Sequence, residues 1–234
     1  MVDDAVLLNF PDFCFPKQYL VLDIETTGFS KQVDFIMQIG LLHIANEEVK
    51  NKTSFYMQVP EGSLSDGAFK AHGITEEKCN KEGLPRHTAC LNLASTLANW
   101  FSMGGVIVGH NAARFDLPFI SSVMTRENVD FDFHDQALVD TGCLVKAIQI
   151  NTFPLTKETP SAYWHRISSI RAHKVYWALE RYCIPEFKLE ERMKEEKLSS
   201  HDALADCIVT SWVLEALKKR RAAIQALMGK REVG

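Results

Sequence analysis

The chain has 234 residues, of which 46% are hydrophobic and 24% charged, a composition that suits one α/β domain with short extensions and excludes a disordered chain. The longest apolar runs are too short to cross a bilayer, the start Met1-Val-Asp-Asp lacks a secretory pattern, and six scattered cysteines form no C-x-x-C pair, so free thiols in an intracellular setting, cytoplasmic or nuclear, are expected. A net charge of −4 argues against a protein that grips nucleic acid by basic surface alone, but not against one whose cleft carboxylates are neutralised by divalent cations.

Residues 1–18 read as an N-terminal extension, 19–222 as the domain, and 223–234 as a short C-terminal tail. Tyr19 to Ile24 is apolar on both faces and is expected to be a central strand. Strands at Phe35–Ala45 and Thr53–Val59 complete an antiparallel meander. Leu91, Leu93, Ala94, Leu97, Trp100 and Phe101 recur at helical spacing within 87–101. A short strand over 105–109 leads to a helix at 117–126, and a strand at 137–141 leads to a helix at 142–150. Pro154 and Pro160 suggest a loop over 151–168, with Tyr163, Trp164, His165 and Arg166 either packed or touching a single strand. Helices over 170–183 and 201–222 follow, separated by the charged run at 186–197. A meander followed by alternating strands and helices predicts one mixed sheet flanked by helices.

Three acidic groups carry the chemistry. Asp23 and Glu25 stand at i and i+2, on one face of the first strand, where two carboxylates are costly without a cation between them. Since Thr26-Thr27-Gly28 follows, they could equally lie in a solvated turn. Asp116 lies beyond the end of the fourth strand, where sites of open α/β sheets form, yet the nearby Pro118 also suits a helix N-cap. In the segment 199–206, Ser199 or Ser200 could cap the last helix and Asp202 suits its dipole. Asp206 shares a face with Ala203, Val209 and Val213, so it needs a partner such as a metal. His201, at the start of the helix, draws its weight from these neighbours.

Together these residues resemble the DEDDh exonucleases of the DnaQ-like superfamily, over roughly Tyr19 to Leu217. Asp23-Ile24-Glu25-Thr26-Thr27-Gly28 matches the first motif, His110-Asn111 with Asp116 the second, and His201-x-Ala203-x-x-Asp206 the third. His72-Gly73-Ile74-Thr75 and Asp140-Thr141 match lesser family features. The extra residue before Phe115 makes the second motif more similar to three-prime repair exonucleases and exonuclease I than to proofreading subunits, and the short tail leaves little room to bind a polymerase.

The resemblance implies an α/β, RNase H-like fold with a central five-stranded mixed sheet. It implies 3′→5′ exonuclease action on DNA, single-stranded or frayed, releasing 5′-mononucleotides through two Mg²⁺ or Mn²⁺ ions about 3.5–4 Å apart. RNA as substrate, or an inactive binding module, are the alternatives. Carried over, Asp23 bridges both ions, Glu25 and Asp206 complete the site of the nucleophilic water, Asp116 serves the other ion, and His201 is the general base. Thr26, Thr27, Gly28 and Asn111 would contact the terminal nucleotide, while Phe29, Ala71, His72 and Phe115 would flank its bases, though each could equally be a core or turn residue. The expected partner is a nucleic-acid 3′ end, and two others stay open, a second copy of the chain or a replication or repair assembly. Of two similar segments, the one beginning at His201 is taken as the third motif. His134 is expected to be a solvated turn residue and Asp140 a structural anchor.

Overall fold

In the computed structural model, which describes residues 4–133, 137–170, 189–199 and 201–231, the first strand runs from Gln18 to Thr26 (β1) at the centre of a five-stranded sheet. Tyr19, Leu20, Val21, Leu22 and Ile24 are all buried because both faces of β1 are covered. β2 (Ile36–Ala45) pairs antiparallel with β1, and β3 (Glu48–Tyr56) antiparallel with β2. β4 (Ile107–Gly109) and β5 (Leu138–Asp140) run parallel on the other side, giving the order β3-β2-β1-β4-β5. This is the expected RNase H-like mixed sheet. The edge strand β3 is exposed over most of its length and carries Lys50 and Lys52, charges that discourage pairing with another chain.

The helices are α1 (Asp66–His72), α2 (Glu76–Glu82), α3 (Arg86–Ser102), α4 (Asp116–Arg126), α5 (Thr141–Gln149), α6 (Pro160–Ser169), α7 (Leu189–Glu195) and α8 (Ala203–Arg231). The His72–Thr75 turn is explained by its caps. Gly73 ends α1 at a left-handed φ of 68°, and the Thr75 hydroxyl starts α2 by accepting from Lys78 N–H. α3 buries Leu93, Ala94, Leu97 and Trp100 of the stripe read from sequence, with Phe101 partly buried, while Leu91 is exposed and Cys90 takes a place inside. None of the helices among the described residues is long and apolar enough to cross a membrane.

The loop expected over 151–168 is corrected. Pro160 occupies the first turn of α6, where its missing N–H costs nothing, and Thr159 caps the helix through Ala162 N–H. Tyr163, Trp164 and Ile167 are buried, and the Trp164 indole donates to Leu138 O at 2.6 Å, which settles their role as packing. Truncating such a tryptophan costs about 3–5 kcal/mol. The charged run at 186–197 also contains a helix, α7. α8 continues past 222 to Arg231 and packs Cys207, Thr210, Ser211, Leu214 and Leu217 inward. Residues Leu7, Phe10, Cys14 and Phe15 join the main core, and Arg221 of α8 ties this segment down through Asp12 Oδ1 at 2.8 Å and Phe10 O at 3.0 Å. Of the helix expected at 170–183 only Ile170 is described, where it ends α6, and residues 171–183, His134 and Ser200 lie outside the described residues.

Candidate active site

Asp23 and Glu25 stand opposite Gly40 and Gln38 of β2, on one face at the C-terminal end of β1. Asp116 begins α4 but does not cap it, correcting the cap alternative: the N-cap position is Phe115 and makes no side-chain bond. The Asp116 carboxylate, only 4% exposed, instead turns back to β1 and accepts from Ile24 N–H at 3.2 Å, between the two acids. Asp206 comes from the first turns of α8. The cap of that helix is Asp202, not a serine, since Asp202 Oδ1 accepts from Leu204 N–H at 3.2 Å and Ala205 N–H at 3.1 Å. His201 is exposed, with a left-handed φ of 60°, a conformation that costs a non-glycine residue about 1–3 kcal/mol and concentrates at functional sites. One donor atom each from Glu25, His201 and Asp206 lie within 4.8 Å of one another.

These groups line one cleft of about 530 Å³. Burial, reinforced by Asp116, Asp206 and Glu25, raises the Asp23 carboxyl well above the usual range. Burial and the charges of Asp206 and Asp116 push Glu25 to about 8, and burial takes Asp116 to about 7. Burial also raises Asp206, partly offset by His201. Carboxyls whose folded pKa is raised contribute nothing below the unfolded value near 4, where both states are protonated. Between about 4 and 8 the unfolded chain sheds protons that folded Asp116 and Glu25 keep, so stability falls as pH rises across that window. The expected result in chelator is a melting temperature that drops from pH 5.5 to pH 8. A scan in which Asp23→Asn melts with the same pH dependence as the parent would contradict this.

The cleft brings together Asp23, Glu25, Phe29, Asn111, Phe115, Asp116, His201 and Asp206. Phe29 is 84% exposed and lies edge-on to Phe115, ring centres 6.2 Å apart. Thr26, Thr27, Gly28, Ala71 and His72 do not line it. The Thr26 hydroxyl donates to Gly28 O, the Thr27 hydroxyl accepts from Phe35 N–H, and both residues are buried away from the cleft. A Cβ at Gly28 would fall 2.5 Å from Asp34 Oδ2 and would displace that carboxylate, which accepts from Ser30 N–H. His72 is locked as a strut. Its Nδ1 accepts from Ile74 N–H, which leaves Nε2–H to donate to Thr26 O at 3.1 Å. Burial holds its pKa low. Ala71 is exposed on α1.

Five lining residues, Ile24 between the two acids among them, stood outside the site residues read from sequence. Val209, already read as sharing a face with Asp206, and Thr210 follow that acid by three and four positions on α8, a spacing that brings both to the cleft. His110, singled out only as part of a motif, lines the cleft and lies 3.0 Å through Nδ1 from the Thr141 hydroxyl. Met193 of α7 reaches the cleft from a charged run with no apolar signal. Asp140 is the expected anchor. Fully buried, it accepts from Asn111, Ala113 and Cys143 N–H and so shapes the turn that carries the second motif.

A mixed RNase H-like sheet with three acidic motifs converging at the end of its central strand defines the DnaQ-like class of nucleases. The RNase_T exonuclease family profile matches residues 20–214, and the chain belongs to that exonuclease family. Among curated relatives, a PolC-type DNA polymerase III of Oceanobacillus iheyensis is 23% identical over 86% of this chain but only 14% of its own length. Ribonuclease T of Buchnera aphidicola is 28% identical over 53% of this chain and 62% of its own. Exonuclease I of E. coli, solved with a dA16 oligonucleotide, superposes with a TM-score of 0.63 at 20% identity over 89% of this chain and 42% of that one. The chain thus spans a minor part of the polymerase and less than half of exonuclease I.

Proposed function

We propose that the chain is a divalent-metal-dependent 3′→5′ exonuclease that releases 5′-mononucleotides from DNA ends. The convergence of four carboxylates and one exposed imidazole in a single cleft carries this reading. The donor set fits hard cations. Four buried or half-buried acids with raised pKa values form a site that repels itself, and oxygen ligands suit Mg²⁺ or Mn²⁺ rather than zinc. Asp23, Glu25, Asp116 and Asp206 would hold two such ions, which when bound supply an acidified water and neutralise charge on the phosphate oxygens.

The remaining work falls to the chain's own groups. His201, at the open edge beside Glu25 and Asp206, takes a proton from the attacking water. The water oxygen bonds to phosphorus, the P–O3′ bond breaks, and the 3′-oxygen leaves on the shortened strand, taking its proton from solvent, to which His201 later returns its own. Phe29 and Phe115 offer ring faces to the terminal bases, a sequence-tolerant grip. Asn111 is held at the cleft wall to meet the terminal nucleotide, its backbone fixed by Asp140. The relation to PolC-type polymerases supports a place in a replication or repair assembly. Buried free thiols at Cys14, Cys79, Cys90, Cys143 and Cys207 support a reducing intracellular compartment.

The test is a time course on oligonucleotides labelled at the 5′ end, as DNA and as RNA of matched sequence. A descending ladder is expected with Mg²⁺ or Mn²⁺ and none in EDTA, with DNA cut faster. Early internal cuts, or undiminished cutting after chelation, would sink the proposal. Faster cutting of RNA would move the substrate class, an outcome the ribonuclease T relative keeps in view.

A further inference from the structure

α8 packs on both β1 and β2, and the start of the third motif is hydrogen-bonded to β2. Gln38, 1% exposed, makes three hydrogen bonds with its side-chain amide. Its Oε1 accepts from Ala203 N–H at 3.1 Å, and its Nε2 donates to Asp202 Oδ2 and to Ser54 Oγ, both at 2.9 Å. The partners dictate the amide's orientation, since Ala203 N–H can only donate and the carboxylate can only accept. Ala203 N–H is one of the N–H groups that the first turn of a helix leaves without an internal partner. Asp202 serves twice, one oxygen capping α8 and the other gripping Gln38.

Two residues on, Gly40 completes the socket. A Cβ there would lie 2.4 Å from the Ala203 carbonyl, so only glycine lets the helix start sit this close to the strand. Gln38 and Gly40 face the same way and stand opposite Glu25 and Asp23. One patch of sheet therefore carries the first-motif acids on β1 and the socket for the third motif on β2. The two residues clamped, Asp202 and Ala203, directly follow His201, whose left-handed backbone needs its neighbours fixed.

We infer that Gln38 is a positioning residue, setting His201 and Asp206 against Asp23 and Glu25 through a donor–acceptor clamp on Asp202 and Ala203. This rests on the exonuclease reading of the site. Gln38→Met keeps the volume and removes the polarity. Gln38→Glu sets a carboxylate against Asp202. The pair Gln38→Glu with Asp202→Asn reverses the polarity while preserving the net charge, because the introduced carboxylate accepts from the new amide, from Ala203 N–H and from the Ser54 hydroxyl.

Turnover of a 5′-labelled oligonucleotide is measured for the parent and these variants. Each single Gln38 variant should lose about 10–10²-fold in kcat, the scale of a misplaced catalytic group, with KM within about threefold. The reversed pair should recover most of that loss. In parallel, the rise in melting temperature on adding Mn²⁺ is recorded for each protein. It should shrink in the single variants and return in the pair, whereas a role in packing alone would lower the starting melting temperature and leave the increment unchanged. A parent that cuts nothing defeats the exonuclease reading, and the Mn²⁺ increments still judge the clamp. Equal increments in all the proteins, or a reversed pair no better than Gln38→Glu, overturns it.

Discussion

Asp23→Ala abolishes hydrolysis while leaving the chain folded and, without metal, more stable. Losing one hydrogen-bond donor at a charged transition state costs about 10²–10³-fold, and Asp23 is the acid that both ions would share, so a loss of roughly 10³-fold or more is expected. The stability half follows from electrostatics. Asp23 is crowded by Asp116, Asp206 and Glu25 in a buried setting, and removing it relieves repulsion among those that remain. The gain appears at pH 8, where the repulsion is present, and shrinks toward pH 4 as the raised carboxyls take up protons. Turnover and thermal melts at both pH values check it. A variant that cuts at near parental rate removes Asp23 from the site, and one that melts lower at pH 8 contradicts the repulsion.

His201→Ala should lose about 10²–10⁴-fold in kcat, the usual worth of a general base, with little change in melting temperature because the side chain is exposed. His201 is the imidazole that shares a 4.8 Å cluster with Glu25 and Asp206. His134→Ala, at the look-alike segment outside the described residues, serves as the comparison and should stay close to the parent. Steady-state turnover of the two side by side decides between the segments, and the reverse pattern would reassign the base.

Much of the site was legible in residue spacing alone. The i, i+2 pair on a two-sided apolar strand pointed either to a cation or to a solvated turn, and strand periodicity put both acids on one face of β1. The α8 periodicity likewise turned Asp206 inward, and the order of elements yielded the mixed sheet. These are local properties, set by backbone geometry and by the cost of burying charge. Asp116 stood at the margin. Sequence could not separate a cap from a cleft residue, and the structure excludes the cap, because the carboxylate turns away from α4 to Ile24 N–H, a contact between distant elements.

What only the tertiary structure decided involves polar side chains with more than one available partner. Thr26, Thr27 and His72 had the right chemistry for a nucleotide, but their hydrogen bonds close on Gly28, Phe35, Ile74 and Thr26 within the fold. Asp202 displaced the serines as the cap of α8 because β2 brings Gln38 up to its second oxygen. Pro160 starts a helix rather than a loop because Tyr163, Trp164 and Ile167 find the core, burial that outweighs the weak local signal. Periodicity determines which way a residue faces. Which of several hydrogen-bonding partners it takes depends on how distant strands and helices meet, and no spacing along one chain encodes that.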